Sequence, residues 1–236
     1  MEKFGIFETV RVENGKAVFL SYHYERLKRS ATLLDIPFPL PFEKFKGVLE
    51  KEGREGLNLV KFVLYHDGSF NLSRRECFIP KDVSLTFDFS IRRKKDFLSA
   101  FKTLSIYDSL YSLLRAKSKG FDEVIFLDTN GFVSETAFAN IFFIKNGVVF
   151  TSSLETGCLP GTRREVVIEI FKEMGVPVVE GFFKPEFLLS AEEVFITSAR
   201  YDVVRVSSIG NRRFEVEGIS FADRIKKVME TLKFSK

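Results

Sequence analysis

The stretch from residue 122 to residue 164 reads DEVIFLDTNGFVSETAFANIFFIKNGVVFTSSLETGCLPGTRR. It contains three apolar runs, which are separated by Asn130-Gly131 and Asn146-Gly147. Asn-Gly between apolar runs favours a tight turn, because both residues tolerate positive φ angles. The pattern therefore predicts an antiparallel meander, with residues 132–144 as one long central strand.

The central strand carries an acidic residue, Glu135. Because side chains alternate along a strand, Glu135 is predicted to share a face with Val133, Ala137 and Ala139. The two alanines leave room on that face for a flat ligand. The alternative is a strand carboxylate that pairs with a surface arginine.

A helical pattern, REVVIEIFKEMG, follows the meander, and LPGTR precedes it. A glycine just before a helix leaves backbone N–H groups free, and such groups bind phosphate well. Gly161 and Thr162 are therefore candidate phosphate ligands. The alternative is an ordinary turn.

Composition limits the class of protein. The chain has 236 residues, 45% of them hydrophobic and 14% aromatic, which is enough for one large domain or two modest ones. The net charge is +4, and the basic runs at 92–95, 163–164 and 212–213 are short and scattered. Such runs are more typical of a solvated face than of a nucleic-acid site.

Cysteine spacing and hydropathy exclude further classes. Cys77 and Cys158 have no spacing typical of a metal site or a disulfide framework, so both are predicted to be reduced thiols and no metal is expected. The N-terminus does not resemble a signal peptide, and no apolar run reaches membrane-spanning length. We therefore expect a cytoplasmic protein that does not contact a membrane.

The remaining periodicity predicts an α+β chain. The predicted helices are 23–34, 42–52, 105–119, 163–174 and 221–232, and the predicted strands include a hairpin over 4–20 and a strand over 57–65. A charged, aperiodic segment, RRKKDFLS, follows residue 91. It predicts a small N-terminal α+β domain over 1–91, a linker over 92–100 and a large C-terminal domain over 101–236.

The order of motifs resembles one enzyme family over nearly the whole chain. The motifs are FETVR at 7–11, KTLSIYDSL at 102–110, SETAFANIF at 134–142, LPGTRR at 159–164 and ITSA at 196–199. They resemble the class IV aminotransferases, whose members include branched-chain and D-amino-acid aminotransferases and 4-amino-4-deoxychorismate lyase. The resemblance implies a two-domain fold type IV structure with mostly antiparallel sheets and flanking helices, pyridoxal 5′-phosphate (PLP) as cofactor, a small-molecule substrate and a homodimer.

The resemblance also implies roles for individual residues. Lys102 resembles the family's Schiff-base lysine, which places that lysine in the predicted C-terminal domain. Glu135 matches the carboxylate that bonds the pyridine nitrogen, and Asn140 completes its motif. Tyr107 matches the tyrosine that bonds the ring oxygen, with a core aromatic as the alternative.

The phosphate group is expected to bind four residues. Arg26, in HYERL, resembles the family's phosphate-binding arginine, and Ser198 lies near another phosphate contact of the family. Gly161 and Thr162 supply the backbone N–H groups. A helical arginine taken alone is more typical of a solvated face.

Three residues favour the lyase within the family. They are Asn140 preceded by Ala139, Ala199 in place of a threonine, and Lys61 where branched-chain enzymes carry a carboxylate-binding arginine. Lys61 is therefore a predicted substrate-binding residue, whereas the Tyr107 match favours the aminotransferases.

The expected reaction converts 4-amino-4-deoxychorismate to 4-aminobenzoate and pyruvate, a step of folate biosynthesis, with Lys102 as general base. The alternative is a class IV aminotransferase that acts on branched-chain or D-amino acids with 2-oxoglutarate. Two readings from other classes are a nucleic-acid-binding protein, suggested by the basic pI, and a cofactor-binding protein without turnover.

Overall fold

A computed structural model describes residues 4–215 and 218–234. The chain forms two compact units. Among the described residues, unit 1 contains 4–78, 101–105 and 229–234, and unit 2 contains 79–100, 106–215 and 218–228.

Unit 1 combines a four-stranded antiparallel sheet with two helices. Its elements are β1 (Gly5–Glu13), β2 (Lys16–Ala17), α1 (Leu20–Leu33), α2 (Phe42–Glu52), β3 (Leu57–Tyr65) and β4 (Phe70–Glu76). The strand order is β2-β1-β3-β4. Asn14 and Gly15 take φ angles of 48° and 77° in the β1–β2 turn, as the Asn-Gly signal predicts.

One face of this sheet packs on the helices. Alternate residues of β1 and β3, including Ile6, Val10 and Phe62, form a core with Leu27 and Phe45. Side chains alternate along a strand, so the intervening residues of β1 and β3 lie on the opposite face of the sheet. This second face carries residues discussed below.

The segment 101–105 joins the edge of β1. Phe7 N donates to the Lys102 carbonyl at 2.8 Å, and Leu104 N donates to the Gly5 carbonyl at 3.1 Å. Ile6 and Thr103 form a β-bridge between these hydrogen bonds. The backbone of Lys102 is therefore fixed by main-chain hydrogen bonds.

Unit 2 contains a larger, mixed sheet. Its strands are β5 (Asp82–Arg93), β6 (Glu123–Asp128), β7 (Val133–Thr136), β8 (Asn140–Lys145), β9 (Val148–Ser152), β10 (Val178–Gly181), β11 (Glu193–Ser198), β12 (Asp202–Ile209) and β13 (Arg212–Arg213). Its helices are α3 (Tyr107–Ser118), α4 (Thr162–Glu173) and α5 (Pro185–Leu189). A last helix, α6 (Phe221–Leu232), begins in unit 2 and ends in unit 1.

The sheet of unit 2 has the order β10-β9-β8-β11-β12-β5-β6-β7, and β13 pairs with β12. Three pairs, β10–β9, β12–β5 and β5–β6, are parallel and the others are antiparallel. The predicted α+β class with mostly antiparallel sheets is confirmed.

The predicted central strand over 132–144 is wrong. The chain forms two strands, β7 and β8, with a tight bend at Ala137–Ala139 that Thr136 N closes by donating to the Ala139 carbonyl at 2.8 Å. β7 pairs with β6, whereas β8 pairs with β9 and β11. The alternation therefore does not run through the bend, and the predicted common face is lost.

The compact units also differ from the predicted domains in their boundaries. The outer ends of the predicted domains, residues 1–3 and 235–236, lie outside the described residues. β5 was assigned to the N-terminal domain, but it pairs with β6 and β12 of unit 2. The predicted linker over 92–100 also belongs to unit 2, and an added Cβ on Gly157 would lie 2.6 Å from the carbonyl carbon of Lys94. Lys102 belongs to unit 1, because its segment pairs with β1.

The prediction that the Arg163-Arg164 run is solvated is also wrong. Arg163 Nε lies 2.7 Å from Asp202 Oδ1, and Arg164 Nη2 lies 2.6 Å from Glu180 Oε2. Both arginines are buried, because each ion pair compensates the charge. Cys77 and Cys158 are free thiols, as predicted. Within the described ranges, no helix is both long and apolar enough to span a bilayer.

Candidate active site

Glu135 lies on β7 with its carboxylate held from two sides. Oε1 lies 2.9 Å from Nε of Arg93, and Oε2 accepts a hydrogen bond from Leu159 N at 3.0 Å. The guanidinium of Arg93 also stacks 4.0 Å from the ring centroid of Phe126. The arginine and the amide together fix the position of the Glu135 carboxyl group.

Asn140 binds the other backbone polar group of Leu159, its carbonyl. Its Nδ2 donates to the Leu159 carbonyl at 2.9 Å. Glu135 and Asn140 therefore hold the N–H and the C=O of Leu159 from the two ends of the bend between β7 and β8. This arrangement fixes the loop that enters α4.

The start of α4 leaves little space around Gly161. A Cβ at this position would lie 1.9 Å from Oδ1 of Asn140. Thr162, the first residue of the twelve-residue helix, is buried. The helix N-terminus carries the positive end of the helix dipole, which favours a phosphate.

Ser198 ends β11, next to β8 in the sheet. Thr197 pairs with Asn140 across these strands, so Ser198 follows directly after a residue that lies beside the loop of Leu159. Ser198 Oγ accepts a hydrogen bond from Tyr201 N at 3.3 Å. Unit 2 thus brings together the predicted residues Glu135, Asn140, Gly161 and Thr162, with Ser198 on the adjoining strand.

Cys158 lies beside this set. Burial and the neighbouring charge of Glu135 raise the pKa of the Cys158 thiol to about 11. The thiol is therefore neutral at physiological pH and behaves as a small apolar group.

In unit 1, Lys102 and Lys61 share one aromatic ring. Their Nζ atoms lie 4.5 Å and 4.3 Å from the ring centroid of Phe7, on the face of the sheet opposite the helices. Burial, and then the charge of Arg75, lower the pKa of Lys61 below its usual value. The structure therefore brings the predicted cofactor lysine and the predicted substrate lysine to the same aromatic ring.

Arg26 has a partner that the sequence analysis missed. Its Nε and Nη2 donate to the two oxygens of Glu8, each at 2.7 Å, and His23 Nδ1 lies 2.7 Å from Glu8 Oε2. Burial tends to raise the pKa of Glu8, but Arg26 and His23 outweigh it and lower this pKa to about 2. Glu8 is therefore ionised at neutral pH and fixes the orientation of the Arg26 guanidinium.

Tyr107 differs from the other predicted residues in its exposure. The side chain is 74% exposed at the start of α3, and its ring stacks on that of Tyr111 at 6.2 Å between centroids. The predicted alternative of a core aromatic is wrong. The role at the ring oxygen remains a prediction.

Of the two residues that the sequence did not single out, Glu8 has a sequence signal and Arg93 has none. Glu8 follows the alternation of Ile6 and Val10 on β1, so it falls on the core face and needs a cationic partner there. Arg93 belongs to the charged run that predicts a linker. No local sequence pattern indicates that it lies close to Glu135 in space.

The residues present fit PLP chemically. A fixed carboxylate suits a protonated pyridine nitrogen, the start of α4 suits the phosphate, and Lys102 supplies a primary amine. A Cβ at Gly161 would clash with the Asn140 side chain, so Asn140 limits the space at the start of α4.

Comparison with known proteins agrees with these features. A family model described as amino-transferase class IV matches residues 5–56 and 78–209. A protein of Methanocaldococcus jannaschii, provisionally named branched-chain-amino-acid aminotransferase, is 33% identical over 229 residues, which cover 88% of this chain and 79% of that protein. A similarly named protein of Thermotoga maritima is 32% identical over 222 residues, with coverage of 89% and 78%.

Solved structures show the same fold. A Legionella pneumophila protein, provisionally named 4-amino-4-deoxychorismate lyase, superposes with a TM-score of 0.88 at 26% identity and covers 96% of this chain and 90% of its own. The branched-chain aminotransferase of Thermoproteus uzoniensis superposes with a TM-score of 0.87 at 25% identity, covering 97% and 85%. The predicted fold type IV class is thereby confirmed. The chain therefore belongs to the class IV aminotransferase family, whose members are PLP-dependent enzymes.

Proposed function

We propose that the chain is a PLP-dependent lyase that converts 4-amino-4-deoxychorismate to 4-aminobenzoate and pyruvate in folate biosynthesis. The observation that carries the proposal is a second amine, Lys61, which contacts the same Phe7 ring as Lys102. Arg75 adds a further positive charge near Lys61. The substrate has two carboxylates, and two cations near the reactive amine match that charge.

Each predicted site residue has a proposed role. The Lys102 amine would bind the cofactor aldehyde, Lys61 would bind a substrate carboxylate, and Arg26 would bind the cofactor phosphate. Glu135 would bond the pyridine nitrogen, and Asn140 would hold Leu159. The backbone N–H groups of Gly161 and Thr162 and the hydroxyl of Ser198 complete the phosphate set, and Tyr107 remains the proposed partner of the ring oxygen.

When bound, PLP supplies an electron sink for the charge that proton removal creates. Lys102 Nζ removes the hydrogen from the substrate carbon that carries the amine. The carbon–oxygen bond of the neighbouring enolpyruvyl ether then breaks, and the ring becomes aromatic. The departing enolpyruvate takes up a proton to give pyruvate, so the atoms of the substrate are divided between the two products without a redox partner.

A specific observation favours a second candidate, a branched-chain aminotransferase. The relatives with 33% and 32% identity over most of this chain carry that name. In this case Lys102 would remove the proton from the substrate Cα, and the amino group would pass by way of the cofactor to 2-oxoglutarate as the substrate leaves as a keto acid. The two candidates share every proposed cofactor contact and differ in the substrate.

We also propose a homodimer. The exposed side of α3 presents Tyr107, Leu110, Tyr111 and Leu114, which recur at helical spacing and leave an apolar stripe in this chain. A second copy of the chain that covers this stripe would remove the apolar surface from water.

The test of the lyase proposal is product formation from freshly generated 4-amino-4-deoxychorismate. We expect 4-aminobenzoate, followed by fluorescence, and pyruvate, followed by coupled reduction, to appear in equal amounts. Lys61→Met keeps the length of the side chain and removes its charge, so it should raise KM about tenfold with a smaller change in kcat. Lys51→Met, on the exposed end of α2, is the matched control.

A different set of products would favour the second candidate function. Absence of both products, with keto acid formed from leucine and 2-oxoglutarate, would assign the chain to the aminotransferases. If Lys61→Met left the KM of an active lyase unchanged, the proposed carboxylate contact would be excluded.

Gly161→Ala tests the phosphate set. The added methyl group meets Oδ1 of Asn140 at 1.9 Å, so the start of α4 must shift. We expect the PLP dissociation constant to rise at least tenfold and the free energy of unfolding to fall by about 1–3 kcal/mol. Gly47→Ala is the control, since its Cβ meets nothing within 4 Å and alanine favours the α2 helix. Equal PLP affinity in both variants would exclude this phosphate site.

A further inference from the structure

Glu123 is a buried acid to which the sequence analysis assigned no role. It begins β6 and is 1% exposed. Its Oε2 accepts a hydrogen bond from Ala137 N at 3.1 Å, and the same N–H donates to the Val124 carbonyl at 3.1 Å. The start of β6 therefore anchors the bend between β7 and β8.

The bend determines where two site residues lie. Thr136 closes it through N and Oγ1, which donate to the Ala139 carbonyl at 2.8 Å and 3.1 Å. Glu135 precedes Thr136 and Asn140 follows Ala139. Both side chains bind the backbone of Leu159. The spacing across the bend therefore determines whether both can hydrogen-bond to the loop that enters α4.

We propose that Glu123 is a positioning residue: it anchors the bend, and the anchored bend keeps Glu135 and Asn140 on the two backbone groups of Leu159. The Glu135 carboxylate, proposed to bind the pyridine nitrogen, and the start of α4, proposed to bind the phosphate, then keep a fixed spacing. The consequence for the cofactor rests on the proposed roles of Glu135 and of residues 161–162.

Glu123 offers an acceptor to the bend in either protonation state. Burial raises the pKa of this carboxyl to about 7, against the opposing effects of the Val124 and Ala137 amides, the Thr136 hydroxyl and Arg200. A neutral acid still offers an oxygen to the Ala137 amide. A glutamine amide oxygen is therefore a close mimic, whereas alanine removes the acceptor.

The chain offers a matched control in Glu193. This residue also begins a strand, β11, and is 4% exposed. Its carboxylate accepts hydrogen bonds from Phe221 N and Ala222 N, each at 2.8 Å, at the start of α6. Loss of the Glu193 side chain thus removes hydrogen bonds of the same kind, between a buried carboxyl group and backbone N–H groups, at another place in the fold.

The test compares Glu123→Ala, Glu123→Gln and Glu193→Ala in the full, PLP-loaded chain by amide hydrogen exchange. We expect Glu123→Ala to accelerate exchange of the Leu159 amide at least tenfold and to raise the PLP dissociation constant about tenfold. Glu123→Gln should restore both values to within threefold of the parent. Glu193→Ala should accelerate exchange at Phe221 and Ala222 and leave Leu159 unchanged.

Two outcomes would overturn the proposal. One is unchanged Leu159 exchange in Glu123→Ala, and the other is equal acceleration of Leu159 in Glu193→Ala. If Glu123→Ala does not fold, Glu123→Asp replaces it, because the shorter side chain withdraws the carboxylate from Ala137 and should give an effect of about threefold or more. Faster Leu159 exchange with unchanged PLP affinity in Glu123→Ala and Gly161→Ala would support the anchor and contradict the proposed cofactor site.

Discussion

Lys102→Ala should abolish turnover with either candidate substrate, with kcat at least 10⁴-fold below that of the parent. The lysine is assigned two tasks, the covalent hold on the cofactor and the proton transfer, and a proton-transfer group alone contributes about 10²–10⁴-fold. The variant should stay folded, since Phe7 N and Leu104 N hold this segment through main-chain bonds that do not need the side chain. Activity is measured with both substrates, and borohydride reduction followed by mass spectrometry reports the covalent link.

Lys61→Met is the internal control for this result, because Lys61 lies against the same ring at a similar distance. It should keep the covalent cofactor after reduction, whereas Lys102→Ala should lose it. Turnover by Lys102→Ala, or cofactor trapped on Lys61 in the parent chain, would refute the assignment of Lys102.

The second large effect is expected for Glu135→Gln. Glutamine keeps an acceptor for the Leu159 amide but removes the charge that favours a protonated pyridine nitrogen. It also leaves Arg93 without its anionic partner. We expect kcat to fall by about 10²–10³-fold, which corresponds to about 3–4 kcal/mol in the barrier.

The control for charge loss alone is Glu155→Gln. Glu155 also pairs with a basic residue, Lys95, but this pair is exposed and its atoms lie 3.5 Å apart. Its loss should leave kcat within twofold, because exposed ion pairs contribute little. A Glu135→Gln enzyme with parental kcat would show that the carboxylate does not act on the cofactor.

Local signals predicted several elements well. α2 and β3 have the predicted bounds, 42–52 and 57–65, because helical and strand periodicity is clear there and turn residues flank both elements. α6 likewise covers the predicted 221–232. The class of the fold was implied mainly by the resemblance to the class IV aminotransferases.

The break between β7 and β8 could not be predicted from local pattern. Residues 137–139, Ala-Phe-Ala, include no glycine or proline that would mark a turn in the SETAFANIF stretch. The bend depends on Glu123, which lies fourteen positions earlier and offers an acceptor to Ala137 N. Tertiary contacts therefore overrode the strand propensity of this stretch.

The resemblance named the proposed site residues but not the contacts that support them. Family resemblance named Lys102, Glu135 and Arg26, whereas it gave no information about Glu8 or Arg93. Both partners lie far from these residues in sequence and meet them only through the fold. The predicted domain boundary failed for a related reason, because a charged run that looks like a linker forms the end of β5.

The assembly of unit 1 from three separate chain segments has a consequence for biosynthesis. Residues 4–78 supply the sheet and both helices, 101–105 extends the edge of β1, and the end of α6 returns from the far end of the chain. There, Phe19 N donates to the Lys233 carbonyl at 2.8 Å, and the Lys233 ammonium bonds Glu13. Because a ribosome delivers the chain from its N-terminus, unit 1 waits for nearly the whole sequence before its last contacts form, whereas the strands of unit 2 are complete earlier.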